Sequence, residues 1–376
     1  MIILIQIKTK AERGYHMNLE VILNKDQLTR DDLIYLMNLE DKEDLQKLYD
    51  KAYEVKAEYI GQKVYYRGLI EFSNVCVKNC NYCGIRKDNN KVDRFTMTEE
   101  EILDRAKWAY ENNYGSIVLQ SGERSDKEFV EFVDNIIKKI KELSNDELGI
   151  TLSLGEQSKE TYQRWYDLGA HRYLLRIESS NQELYNSLHP DDHDFKRRLE
   201  CLAEMKEIGY QVGTGVMIGF PGQTIEDLVD DLIFFKENDI DMVGMGPYVL
   251  HEDTPTAKDV EDNGVLKTRN LNWGLKMVAI LRLLMKDINI AATTALQALN
   301  PVGREMALKA GANILMPIIT HRKYRTEYQL YENKPCIDEE ASDCKNCLAA
   351  RVGTVGDEIV YGEWGDSPHY FKRTNK

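Results

Sequence analysis

Nothing in the 376-residue chain approaches the roughly 18 consecutive apolar residues that a membrane span requires. The opening MIILIQIK is apolar only briefly and has no small-residue cleavage site behind it, so it does not read as a secretory signal. Met1 and Met17 both stand as starts. Positive charge is short: 49 basic against 63 acidic side chains leave a net charge of −14, which excludes a nucleic-acid partner held by a general basic surface. No Ser/Gly/Pro linker or low-complexity tract divides the chain, which favours one structural unit. Histidine is sparse, and none is assigned as a ligand: His189 and His193 fall in a polar loop, and His251 follows a strand-like run. Of seven cysteines, six are confined to two tight triplets, Cys76/Cys80/Cys83 and Cys336/Cys344/Cys347, while Cys201 stands alone at a packing position. Gaps of two to seven residues without a secretion signal argue against a disulfide framework and for metal sites in a cytoplasmic protein.

What is present is a repeated grammar of strand, loop and helix. Residues 24 to 61 read as helices, with a capping box at Thr29-x-x-Asp32 and apolar Leu45, Leu48, Ala52 and Val55 at helical spacing before Gly61. Eight strand-like runs follow: 64–72, 116–120, 150–154, 172–177, 212–220, 242–250, 288–296 and 312–319. Helix starts at Thr98-x-x-Glu101, Ser125-x-x-Glu128 and Thr224-x-x-Asp227 lie between several of them. Eight such units over about 256 residues predict an α/β fold, a full (β/α)8 TIM barrel. The expected divisions are an N-terminal helical lead (1–61), the barrel (62–320) and a C-terminal extension (321–376) packed on it.

Cys76 follows the C-terminal end of the first predicted strand, the face on which barrel enzymes place their chemistry. Three thiolates at C-x3-C-x2-C spacing can converge on one ion or cluster and leave one coordination position open. A [4Fe–4S] cluster then offers a free iron to a small molecule; a three-cysteine zinc site or a metal-free structural role are the blander readings.

That spacing, with Tyr82 just before the last cysteine, resembles the signature of the radical S-adenosylmethionine (SAM) superfamily. The resemblance implies a [4Fe–4S] cluster on Cys76, Cys80 and Cys83, SAM on the free iron, and reductive cleavage to a 5′-deoxyadenosyl radical. It also implies SAM contacts from Tyr82, from Gln120, Ser121, Gly122 and Glu123 (QSGE), and from Ser153, Glu178, Arg198 and Met242. The blocks RGLIEFSNVCVKNCNYCGIRKDN, TLSLGE, RYLLRIES, GFPGQTIEDLVDDL and DMVGMGPYVLHEDTP resemble more narrowly the HydE family of [FeFe]-hydrogenase maturases. Biotin synthase and methylornithine synthase share the triplet and are less similar. The HydE resemblance implies a small anionic, sulfur-containing substrate, an iron–cysteine synthon. It would be held by Arg67, Thr151, Arg176, Thr293, Thr294, Met316, Tyr324, Tyr328 and Tyr331. HydG and HydF are the implied partners, flavodoxin or ferredoxin the implied reductant, and a monomer the implied state.

One position departs from the family. Members commonly carry His between the Arg and Glu of the fourth-strand motif, where this chain has Ile177 between Arg176 and Glu178. Alternation on a strand would turn Ile177 toward the helix layer and leave the chamber intact; otherwise the change marks a paralogue acting on an amino acid, as methylornithine synthase does. A third reading is an iron–sulfur electron carrier that does not cleave SAM. The second triplet, C-x7-C-x2-C, reads as an auxiliary iron–sulfur cluster, a zinc site or empty thiols.

Overall fold

The computed structural model describes residues 18–260 and 264–375, so both starts lie outside the described residues. Its strands are β1 (Lys63–Ser73), β2 (Ser116–Ser121), β3 (Gly149–Ser153), β4 (Ala170–Leu174), β5 (Gln211–Thr214), β6 (Met217–Ile218), β7 (Met242–Val243), β8 (Gly246–Pro247), β9 (Asn289–Ile290), β10 (Ile314–Leu315) and β11 (Glu358–Val360). Eight of them form a curled parallel sheet in the order β10-β1-β2-β3-β4-β5-β7-β9, while β6 pairs with β8 and β11 with β1. Beyond that path, Ala291 bridges Ile314 in the parallel sense and the Ala292 N–H donates to the Ile314 carbonyl at 2.9 Å. No described helix is long and apolar enough to cross a membrane.

Helices form where capping and periodicity agree. Thr29, Thr98 and Thr224 each close a capping box with the acid three residues on, as expected. The helix expected from Ser125 starts one residue later. The Asp126 carboxylate, held by Arg124, accepts from the Phe129 N–H and caps Lys127–Leu143. That helix lays Phe129, Val133, Ile136, Ile137 and Ile140 against the sheet.

The expected strands of the second half are shorter than their apolar runs. The runs 212–220 and 242–250 each form two short strands about a glycine, Gly215 and Gly244, where the backbones approach so closely that a Cβ on Gly215 would sit 2.1 Å from the Gly244 carbonyl oxygen, while the Gly244 and Gly246 N–H groups still donate to the Thr214 and Val216 carbonyls. The run 288–296 yields only β9, and Thr294–Leu299 is helical. The fourth run stops at Leu174, so Arg176 and Glu178 lie past the strand, Glu178 with φ +64°.

The end of the sheet at which the strands begin is filled by the C-terminal segment. Arg67 and Asn289 donate to the Gly365 carbonyl at 3.0 and 2.9 Å, and Arg172 donates to the Trp364 carbonyl at 2.9 Å while pairing with Asp366. Gln211 accepts from the Ser367 N–H at 2.9 Å. Gly365, at φ +65° with the Tyr65 ring 2.5 Å from where a Cβ would stand, admits no side chain.

Candidate functional site

At the opposite end, β1 runs out at Ser73 into the loop that bears the first cysteine triplet. Lacking regular structure, this loop finds its backbone partners elsewhere. Arg94 donates to the carbonyls of Asn74, Ile85, Arg86 and Asn89. Gly122 donates to the Ser73 carbonyl at 2.9 Å, Val77 to the Glu123 carbonyl at 3.0 Å, and the Glu123 N–H points at the Cys76 sulfur, 3.3 Å away. Only glycine fits at position 122, where a Cβ would lie 2.4 Å from the Val75 oxygen and 2.8 Å from the Cys76 Cβ. The loop's far side rests on the C-terminal segment, where Gly84 donates to the Leu330 carbonyl at 3.0 Å.

Cys76, Cys80 and Cys83 all line one cavity of about 340 Å³. Burial and the neighbouring Cys76 push the Cys83 thiol up to about 12, and burial followed by Cys83 and Cys76 raises Cys80 well above the ordinary thiol value. Three crowded thiols that resist losing their protons are a donor set that a cation would satisfy. Tyr82, Gln120, Ser121, Gly122, Glu123, Ser153, Glu178 and Arg198 line the same cavity. Burial raises the Glu123 carboxyl against the pull of Arg198, 4.0 Å away. Burial opposes the charge of Arg198, yet Glu156, accepting its Nε–H at 2.6 Å, keeps that guanidinium firmly protonated. Burial likewise raises Glu178, against Arg176 at 2.9 Å.

Of the residues expected around the substrate, Arg176, Thr293, Thr294, Met316, Tyr328 and Tyr331 line this cavity. Arg67, Thr151 and Tyr324 do not, and neither does Met242, expected among the SAM contacts. Arg67 and Met242 touch each other at the plugged end, and Thr151 accepts from Arg172 at 2.9 Å in that same layer. Tyr324 turns outward, donating to the Glu101 carboxylate and stacking on Phe95. The reason is position along the strand: Arg67, Thr151 and Met242 face inward nearer the strand starts, a level that the C-terminal segment occupies.

Ile177 is fully buried in the main apolar core and not in the cavity, as expected, although the strand has already ended there. Cys201 is also a core residue. The glycine-rich turn after β6 is filled by its own protein, since the Asn270 amide occupies the space that a Cβ on Gly219 would need.

Several cavity residues escaped the sequence reading. Lys334 donates to both Glu71 oxygens at 2.6 and 2.7 Å and to the Tyr328 carbonyl, a buried ion pair that ties the C-terminal segment to β1. Glu71 was findable, since it shares the inward parity of Arg67 and Leu69; Lys334, beyond any strand, carried no signal. His189 and His193, set aside as loop residues, reach the triplet: Cys80 Sγ is 3.3 Å from His193 Nε2, and the ligand atoms of all three lie within 4.8 Å of one another. In the second triplet, Cys336 is half-buried and Cys347 exposed on the helix Ala341–Thr354, while the Cys344 side chain lies outside the described residues.

A family model described as the radical SAM superfamily matches residues 70–235. HydE, the [FeFe] hydrogenase maturase subunit of Thermotoga maritima, is 43% identical over 351 residues, 93% of this chain and 97% of that protein. The 3-methylornithine synthase of Methanosarcina acetivorans is 32% identical over 302 residues, 80% of this chain and 82% of that protein. The crystal structure of methylornithine synthase (PylB) superposes with a TM-score of 0.77 at 27% identity, covering 92% of this chain and 97% of that one. With three thiols gathered over one cavity and a maturase relative matched almost end to end, this chain belongs to the radical SAM superfamily and is an enzyme of HydE kinship.

Proposed function

We propose that the protein binds a [4Fe–4S] cluster through Cys76, Cys80 and Cys83 and acts, with SAM, on a small anionic iron–cysteine complex in [FeFe]-hydrogenase maturation, alongside HydG and HydF. The observation that carries this reading is the convergence of the three thiols on a single cavity whose walls continue into Glu123, Glu178 and Arg198. The donor set fits the cluster, because crowding and burial leave the thiols short of positive charge. When bound, cluster and SAM supply a reductively generated 5′-deoxyadenosyl radical. The chain's own residues do the rest. Glu123 and Arg198 offer opposite charges suited to a zwitterionic amino-acid end, with Glu156 fixing the guanidinium. Arg176, Thr293, Thr294 and Tyr331 give the deeper wall donors for an anion, and the buried Lys334–Glu71 pair closes the C-terminal side against water.

The same proposal takes the eight strands as a full (β/α)8 barrel, supported by the Ala291–Ile314 bridge between β9 and β10. It also includes a flavodoxin or ferredoxin as reductant, a cytoplasmic monomer and an auxiliary cluster at Cys336, Cys344 and Cys347. The test is anaerobic reconstitution with iron and sulfide, dithionite reduction with SAM, and chromatography for 5′-deoxyadenosine, comparing wild type with Cys80→Ala. Cleavage that requires Cys80, followed by adenosyl–sulfur products on adding an iron–cysteine synthon, is the expected result. Cluster formation without any SAM cleavage would leave an electron carrier as the better account. The kinship with 3-methylornithine synthase keeps an amino-acid substrate as the second reading; absence of a hydrogenase and its other maturases from the same genome would favour it.

A further inference from the structure

Tyr82 stands between the second and third thiols and lines the cavity with them. Whatever binds beside the triplet meets this ring, so the ring's orientation shapes the site. Its hydroxyl lies 3.3 Å from His189 Nε2, with the two rings edge to face at 5.6 Å between centroids. The other ring nitrogen of His189 lies 2.8 Å from the Tyr185 carbonyl oxygen, an acceptor only. Nδ1 must therefore carry the proton, and Nε2 is left as a lone pair facing the tyrosine, an acceptor for the Tyr82 hydroxyl beside its other acceptor, the Glu178 carboxylate. The histidine is itself held on both sides, since its ring packs 4.1 Å from that of Tyr185 and 4.4 Å from that of His193.

The segment bearing His189 is laced to the cysteine loop at three further points. The Asn81 N–H donates to the Leu188 carbonyl at 2.9 Å, the Asn81 side chain to the Ser187 carbonyl at 3.1 Å, and Lys78 to the Asp192 carbonyl at 2.6 Å. His189 is thus a rigid acceptor built against the loop from outside. Tyr82 also packs on its apolar side against Leu188, Met217, Phe220 and Tyr248, which leaves the hydroxyl as the atom that selects one ring setting.

We infer that His189 is a positioning residue: by accepting the Tyr82 hydroxyl hydrogen bond it holds the tyrosine ring in the setting that receives SAM beside the cluster. This rests on the radical SAM reading of the cavity. The measurement is SAM affinity, taken from the SAM-dependent change in the electron paramagnetic resonance of the reduced, reconstituted protein, for wild type, His189→Leu, His189→Gln, Tyr82→Phe and Tyr82→Phe/His189→Leu. Iron content is matched across the set.

Loss of one such hydrogen bond is expected to weaken SAM binding about three- to tenfold in His189→Leu. Tyr82→Phe, which also loses the hydroxyl's bond to Glu178, should weaken it at least as much, and the double variant no further than Tyr82→Phe alone, because the histidine then has no hydroxyl left to hold. Glutamine, which keeps an acceptor, should restore most of the affinity. Losses that multiply in the double variant, or an unchanged affinity in His189→Leu, overturn the inference. If leucine impairs loading, Tyr82→Phe measured alone and combined with His189→Gln carries the same comparison. A wild-type signal indifferent to SAM would fail the functional reading itself, whereas a responsive wild type with an unaffected His189→Leu fails only the role given to His189.

Discussion

The two ends of the curled sheet use the same kinds of residue to opposite ends. Where the strands begin, the buried guanidinium groups of Arg67 and Arg172 are met by carbonyls of Trp364 and Gly365 and by the Asp366 carboxylate, all from one segment of the chain. Where the strands finish, thiols, carboxyls and hydroxyls face a cavity, and the Thr293 hydroxyl is left without a hydrogen-bond partner. Buried polar groups cost free energy until they are paired. One end meets most of them within the chain, although Arg67 Nε and Arg172 Nη2 keep no hydrogen-bond partner; the other turns its polar groups onto a cavity that a ligand can enter.

The comparison breaks most visibly at the cavity end. Cys83→Ala is expected to reduce SAM cleavage to background while the apo protein keeps its stability to within about 1 kcal/mol by chemical denaturation. Removing a charge from the plugged end should do the reverse. Asp366→Asn leaves buried arginines without their carboxylate and is expected to cost about 3 kcal/mol of stability, with iron loading unchanged in the folded fraction. Its pH dependence has a definite sign. Partial burial pushes the half-buried Asp366 carboxyl up, but hydrogen bonding with His171 together with the charge of Arg172 outweighs it and holds the pKa far below the usual value. Its stabilisation is present above about pH 4 and is lost as pH falls through the depressed folded value. The variant should therefore show a shallower acid limb.

Asp231 sharpens the contrast from behind the cavity. Burial raises its carboxyl to about 7, although it accepts from the Ser180 N–H and hydroxyl at 2.7 Å. A raised carboxyl contributes stability that is full below its unfolded value near 4 and is lost as pH rises through the folded value. Wild type should therefore lose on the order of 1 kcal/mol or more between pH 5 and 8 that Asp231→Asn does not lose. Ile177→His should have the smallest functional effect. Because Ile177 faces the helix layer, SAM cleavage should stay within about twofold, and thermal stability should fall by about 1–3 kcal/mol.

Much of this arrangement was legible in the residues. The cysteine spacing located the cavity, the capping boxes located helices, and the apolar runs found every strand of the curled sheet. What could not be read was depth along a strand. Arg67 and Thr151 have the inward parity of cavity residues, but only the arrival of residues 364–367 from the far end of the chain decides that their level is filled. Strand ends were illegible for a related reason: the close approach of the backbones at Gly215 and Gly244 depends on two segments meeting, and a local pattern contains no such information. Lys334 and His189 act through partners remote in sequence and left no pattern to find.

The pairing of β11 with β1 and the bond from Arg67 to Gly365 join positions up to 298 residues apart. A chain emerging residue by residue from the ribosome can align β1 to β5 early, but it cannot seal the end at which the strands begin until the segment around Gly365 has been made. Until then the two arginines remain in water and the inner surface of the sheet stays open from below. Metal loading in a living cell would accordingly meet a finished chamber only after synthesis is nearly complete, and a shortened chain lacking residues 358–367 should be exposed to proteases.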